Sequence, residues 1–384
     1  MERFTCICES KPELFFTSTT CIVCGRLTGF CYDRHATEAF EPTKLAGKYV
    51  CTSTGATYRQ CENYASHSAC NGMINNDQNN EEEPQTLCFA CHFNETIPDL
   101  SVPEHLPLWR KMETAKRQAL YTLTSLGLPL PDKQQEPEMG LSFNFTTDKD
   151  ASDHFQSQLP NCEPVFTGHD KGEITINLAE ADSVALASNK SGLSENYRTL
   201  LGHFRHELGH YFWDRLVEPN EQSLKEYRSL FGDEREDYQE ALDRHYKNGP
   251  PQNWPENHIS AYATMHPWED WAETWAHYLH MIDTLETAQA FGFEVDQSQS
   301  PLTNDLGKND NIEELNLPQE TSAEDTNGYR KSSITTIIDN WIQLSIGLNA
   351  LNRSMGLEDA YPFVLTPVIR DKLALVHKII HDAR

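Results

Sequence analysis

The 384 residues carry a net charge of −27, only 38% of them are hydrophobic, and eleven are cysteines. That length has room for a catalytic domain and at least one smaller module, and the acidic balance weighs against general affinity for a phosphate backbone, so no nucleic-acid partner is expected. No run approaches the roughly 20 apolar residues of a membrane span, and residues 1–6 lack the apolar core of an export signal, so a cytoplasmic protein without membrane association is the expectation.

Ten of the cysteines lie before residue 92 and only Cys162 lies beyond. Clustered cysteines without an export signal point to zinc thiolates rather than disulfides. Residues 1–98 are rich in turns and poor in long apolar periodicity, a composition that needs bound metal to fold. Cys21-Ile22-Val23-Cys24-Gly25 reads as a zinc knuckle, and Cys6 and Cys8 complete a first four-cysteine site, with CxC where ribbons generally carry CxxC. Cys61, Cys70, Cys88 and Cys91 make a second, with His67, His92 or Cys51 as substitutes for a member. Both are expected to be structural zinc sites, each adding about two negative charges. The spacing leaves Cys31, Cys51 and Cys162 without an assigned role. The basic residues Arg26, Arg34, Lys44 and Lys48 are scattered, so the module is expected to contact protein. The acidic, Asn-rich stretch 75–83 reads as a solvated loop.

Further along, Pro103 opens a predicted helix over 103–126, with Leu108, Met112, Ala115, Ala119 and Leu123 at helical spacing. Strands are predicted at 141–145 and 173–178, and a helix over 194–217. The segment 219–256 is polar, with one helix near 236–246. Pro267 opens another helix running to about residue 285. An acidic insertion occupies 297–330, and helical patterning returns at 334–352 and 367–380.

The chemistry concentrates in His206-Glu207-Leu208-Gly209-His210. Positions four apart share a helical face, so both imidazoles can reach one Zn²⁺ at about 2.0–2.1 Å. Glu207 neighbours the first ligand and can take a proton from a zinc-activated water. Composition alone gives an HExxH expectation of roughly 0.06, and an apolar helical context lowers it further. His203 falls on the same face, three residues earlier, as a neighbour of the site. The third ligand is sought in His266-Pro267-Trp268-Glu269-Asp270-Trp271-Ala272-Glu273-Thr274-Trp275-Ala276-His277, where Glu269 and Glu273 lie four apart. Trp268, Trp271 and Trp275 read as core.

The pattern of Glu269, Ala272 and Glu273 after HExxH resembles the glutamate zincins. That resemblance implies Glu269 as metal ligand and Glu273 as the acid orienting a ligand imidazole, with the reverse order, or His277 as ligand, left open. Tyr262 lies seven residues before Glu269, a spacing similar to lethal-factor-type metallopeptidases, which implies a phenol donor to the oxyanion; His266 is the alternative electrophile. Zincins present an edge strand to substrate, a role that Glu173, Ile174, Thr175 and Ile176 can fill. The stretch from Gly202-His203-Phe204-Arg205 through Tyr211-Phe212-Trp213, together with the run from Tyr262 to Glu273, resembles a bacterial family of zinc-binding metallopeptidases with an N-terminal zinc ribbon. Asn352-Arg353-Ser354-Met355-Gly356 and Tyr361-Pro362-Phe363 fit the same family.

The expected fold class is therefore α+β. A Cys-rich zinc-ribbon module (1–98) precedes a mainly helical, zincin-like catalytic domain with a small sheet (99–296). The acidic insertion (297–330) and C-terminal helices packing on the catalytic domain (331–384) follow. The expected function is zinc-dependent hydrolysis of a peptide or protein, with one catalytic and two structural Zn²⁺. The alternatives are a zinc-structured protein-interaction module and a DNA-linked protease.

Overall fold

The computed structural model describes residues 2–76, 85–147, 168–182, 199–293 and 328–384. Cys162, residues 77–83 of the first acidic stretch and 297–327 of the second lie outside them. Among the described residues no helix is long and apolar enough to cross a membrane.

The N-terminal region begins with the antiparallel pair β1 (Phe4–Thr5) and β2 (Glu13–Leu14). Five strands then close into a barrel: β3 (Leu27–Cys31), β4 (Ala36–Pro42), β5 (Lys48–Cys51), β6 (Thr57–Gln60) and β7 (Gly72–Asn75). Successive strands are antiparallel and β7 returns parallel to β3, so the barrel leaves no free edge. Phe30, Cys31, Phe40, Cys51, Tyr58 and Met73 are buried there. The sequence reading missed this barrel because it weighed cysteines as metal donors. Cys31 and Cys51 instead serve as small apolar residues.

Two short helices, α1 (Glu62–His67) and α2 (Phe89–His92), carry the second cysteine group. Directly after α2, β8 (Asn94–Thr96) pairs in parallel with β9 (Ser142–Thr146). The sheet continues through β11 (Glu173–Asn177), parallel to β9, to β10 (Gly168–Asp170), antiparallel to β11. The expected boundary at residue 98 thus falls just after a strand that the Cys-rich region lends to the four-stranded sheet. The alternating burial of Phe143 and Phe145 and of Ile174 and Ile176 follows the period of two that a one-faced sheet requires.

Helix α3 (His105–Ser125) packs against α4 (Leu200–Phe212), which Thr199 caps through its hydroxyl. One π turn, Trp213–Val217, extends α4. Helix α5 (Glu221–Leu230), capped by Asn220, was not expected, since Tyr227 is its only fully buried side chain. Helices α6 (Tyr238–Asn248), α7 (Pro267–Ala290), α8 (Ile334–Ser354) and α9 (Pro367–Asp382) complete the chain.

The chain divides into two compact units, one of residues 3–280 with 363–384, the other of 1–2 with 281–362. Of the two C-terminal helices expected to pack on the catalytic region, α9 belongs to the first unit and α8 to the second. In the second unit Trp341 of α8 meets the Tyr361 ring edge-on, and Asn349 holds the Tyr361 backbone through both its amide atoms.

What positions the HExxH helix is its crossing with α7. A Cβ added at Gly209 would lie 2.9 Å from the Ala272 Cα and 3.2 Å from its carbonyl oxygen. The Trp271 indole donates to the Gly209 carbonyl at 2.9 Å, and Phe212 stacks on Trp275 at 4.9 Å. Gly209→Ala would gain up to about 1 kcal/mol of helix propensity but clash with backbone that cannot rotate aside. We predict a net destabilisation of about 1–3 kcal/mol, read as a lower urea midpoint at unchanged m-value.

Candidate metal centre

His206 and His210 project from one face of α4, with their Nε2 atoms 3.2 Å apart. From the first turn of α7, Glu269 Oε2 lies 2.9 Å from His206 Nε2 and 3.5 Å from His210 Nε2. A tetrahedral zinc with bonds near 2.05 Å needs donor separations of roughly 3.3 Å, which these values bracket. Glu269 Oε2 is buried and has no hydrogen-bond partner, although it faces two ring nitrogens. A buried carboxylate oxygen left in that state fits a cation. The three side chains form one of three groups of donor atoms found among the described residues.

Each member is oriented by further contacts. The His206 Nδ1–H donates to Glu273 Oε1 at 2.7 Å, leaving Nε2 bare for metal, and Ser260 Oγ donates to Glu273 Oε2 at 2.6 Å. Tyr238 OH donates to Glu269 Oε1 at 2.7 Å. Trp268 stacks on His210 with ring centroids 3.7 Å apart, so this one tryptophan lines the site while Trp271 and Trp275 are core. Burial alone would raise Glu269 and Glu273, yet the imidazoles hold Glu269 well below the usual carboxylate range and bring Glu273 down to about 2. Burial disfavours a charged His206, but Glu269 and Glu273 overcome it and raise its pKa well above the ordinary value.

Glu207 presents Oε1 to His203 Nε2 at 3.1 Å, while its buried Oε2 has no hydrogen-bond partner. Tyr262 sits on a short turn with its ring 6.0 Å from that of His206, and burial raises its phenol well above the ordinary pKa. Tyr238 and Ser260 had no sequence signal: both lie in polar stretches and reach the site only through the fold.

Other expectations are corrected. His266, the alternative electrophile, has both ring nitrogens engaged: its Nδ1 accepts from Trp268 N at 3.1 Å, capping α7, and its Nε2–H donates to the Glu236 carbonyl at 3.1 Å. His277 is not in the donor group: it meets the Phe363 ring edge-on and lies close enough to Glu273 to feel its charge, and burial pulls its pKa down to about 4. Glu173, Ile174 and Thr175 cannot pair with a substrate, because β11 already has β10 on one side and β9 on the other; Ile176 pairs with β9. Among the described residues the edge strand of this sheet on that side is β10.

The cysteine groups are Cys6, Cys8, Cys21 and Cys24, and Cys61, Cys70, Cys88 and Cys91, each with its sulfurs within 4.8 Å of one another. Gly72 exists in the second group because a Cβ there would lie 2.4 Å from Cys88 Sγ. The suggested substitutes lie elsewhere: His92 pairs with Asp132 at 2.7 Å, Cys51 contacts Ser53 at 3.2 Å, and His67 packs edge-on to Trp109. For the histidine site we predict that Glu273→Gln weakens zinc binding 10–100-fold, the usual effect of losing an orienting partner, while Glu269→Ala costs more. Chelator competition checks it; a larger loss for Glu273→Gln would exchange the two roles.

A family model described as "Putative zinc-binding metallo-peptidase" matches residues 105–379, and a zinc-ribbon domain model matches residues 3–102. Uncharacterized proteins of Mycobacterium tuberculosis and Mycobacterium bovis are each 36% identical over 371 residues, covering 96% of this chain and 93% of theirs. No solved structure matches. With its donor groups and both regions matched, the chain belongs to this family of zinc-binding metallo-peptidases with an N-terminal zinc ribbon.

Proposed function

We propose that the protein is a glutamate-zincin peptidase in which Glu207 is the general base. One observation carries the reading: the unpartnered, buried Glu207 Oε2 stands beside a donor group, His206, His210 and Glu269, that leaves one side of a tetrahedron open. A closed structural site has no use for such an acid. When bound there, zinc supplies a Lewis acid that polarises the scissile carbonyl and lowers the pKa of water to about 7.

The chain's own residues do the rest. Glu207 Oε2 accepts a proton from the attacking water and delivers it to the departing amine nitrogen. Tyr262, its ring 6.0 Å from that of His206, donates its phenol proton to the carbonyl oxygen as negative charge develops. Strand β10, at the edge of the sheet and in contact with α4, offers backbone groups to an extended peptide or protein substrate. The two cysteine groups take one structural zinc each, closed by four sulfurs.

Glu207→Gln is expected to keep the metal content and melting temperature while lowering kcat by at least 10²-fold on an unfolded protein substrate. Turnover retained in that variant, with zinc bound, refutes the assignment. Metal analysis of the purified wild type should give three zinc ions per chain; two would mean that the histidine group holds none.

A further inference from the structure

His203, its side chain 11% exposed, is the titratable group next to the site that hydrolysis itself leaves without a task. It lies one turn before Glu207 on the same face of α4, and its Nε2 meets Glu207 Oε1 at 3.1 Å. Its Nδ1 is hydrogen-bonded to Glu180 Oε2. Glu180 belongs to a short turn, Leu178–Ala181, that follows β11 directly. That turn is fixed at both ends: the Asn177 side chain accepts from Ala179 N at 3.0 Å, and Lys111 of α3 donates to the Ala181 carbonyl at 3.1 Å. Both ring nitrogens of His203 therefore face carboxylate oxygens that only accept, and only the doubly protonated imidazolium satisfies both. Burial opposes that charge, but Glu180 and Glu207 lift its pKa to about 9.

The consequence for Glu207 is geometric. A carboxylate at the end of a glutamate side chain rotates about its last bond and can present either oxygen. With Oε1 tied to His203, the remaining oxygen is the buried one without a partner. His203 is outside the metal donor group, and its two nitrogens are engaged, so it is not a fourth ligand.

We infer that His203, anchored by Glu180, is a positioning residue that holds Glu207 Oε1 so that Oε2 alone meets the reacting water. This rests on the peptidase reading above. It also links the substrate-side sheet to the base, because Glu180 sits at the end of the strand next to β10.

The experiment compares wild type, His203→Ala, His203→Gln and Glu180→Gln at matched zinc content, on a quenched-fluorescent peptide mixture. Loss of an orienting partner predicts a 10–100-fold fall in kcat for His203→Ala with KM unchanged, and partial recovery in His203→Gln, which keeps one N–H donor. A rise in KM at constant kcat, or an unaltered kcat, overturns the inference. Independently of turnover, ¹⁵N NMR of the His203 ring in the metal-free protein should show both nitrogens protonated at pH 7.5, and a single protonated nitrogen overturns it. If the wild type cleaves nothing, the peptidase reading fails while the NMR result still decides the role of His203.

Discussion

The close approach of two helix backbones at Gly209 is what the metal triad depends on. Glu269 comes from a different helix than the histidines and must bring one oxygen to about 3 Å from both imidazoles. A side chain at Gly209, or one larger than alanine at 272, would separate α4 from α7 and draw that oxygen out of reach. The indole of Trp271 then fixes the crossing by bonding the Gly209 carbonyl. Pro267 at the first helical position and the capping His266 begin α7 at a defined residue, which places Glu269 in the first turn, where the helix dipole favours a carboxylate.

The same crossing brings three carboxylates into one stretch of α7, Glu269 and Asp270 buried and Glu273 partly exposed, and each has its own compensation. Glu269 faces His206 and His210, Glu273 faces His206 and Ser260, and Asp270 pairs with Lys372 of α9 at 2.5 Å. Lys372 also donates to the Asn257 carbonyl at 2.7 Å. An unpaired buried carboxylate would cost several kcal/mol, so α9, distant in sequence, supplies a charge that α7 requires. Burial still pushes Asp270 up to about 7 despite that partner.

Local chemistry was readable from the sequence, and placement was not. Both cysteine quartets and the HExxH helix followed from spacing, because ligands on one helix or one knuckle are fixed by local geometry, whereas Glu269 was preferred to Glu273 only through the resemblance to glutamate zincins. Tyr238, Ser260 and the Glu180–His203 contact were missed, since each depends on chain segments meeting across the fold. The edge strand was placed one strand too far in, because β10 has only three described residues, Gly168-His169-Asp170, without alternation, whereas β11 alternates well. Alternation marks burial on one face, and a strand in the middle of the sheet shows it as clearly as an edge strand.

The two cysteine groups differ in how far their metal matters. In the first, Cys24 is exposed, and the backbone N–H of Arg26 brings its thiol down to about 6, while burial pushes Cys6 up to about 12. Its four sulfurs come from one hairpin and one knuckle, so the site organises only its own turns. The second is wholly buried and lies against α3: Cys91 Sγ is 3.7 Å from Glu113, Lys116 bonds Glu113 at 2.8 Å, and Arg117 bonds Asn71. Burial works against a charged Arg117, and the thiols of Cys70, Cys88 and Cys91 offset it. Four thiolates on one zinc leave about two negative charges, one of which the buried Arg117 of α3 can offset, Lys116 being paired with Glu113. Asn94 of β8 bonds both Glu113 and Lys116, which ties this charge balance to the catalytic sheet. Emptying the second site would therefore remove the thiolate charge that offsets the buried Arg117 in the helix that packs on the HExxH helix, so its zinc supports that helix pair as well as the barrel.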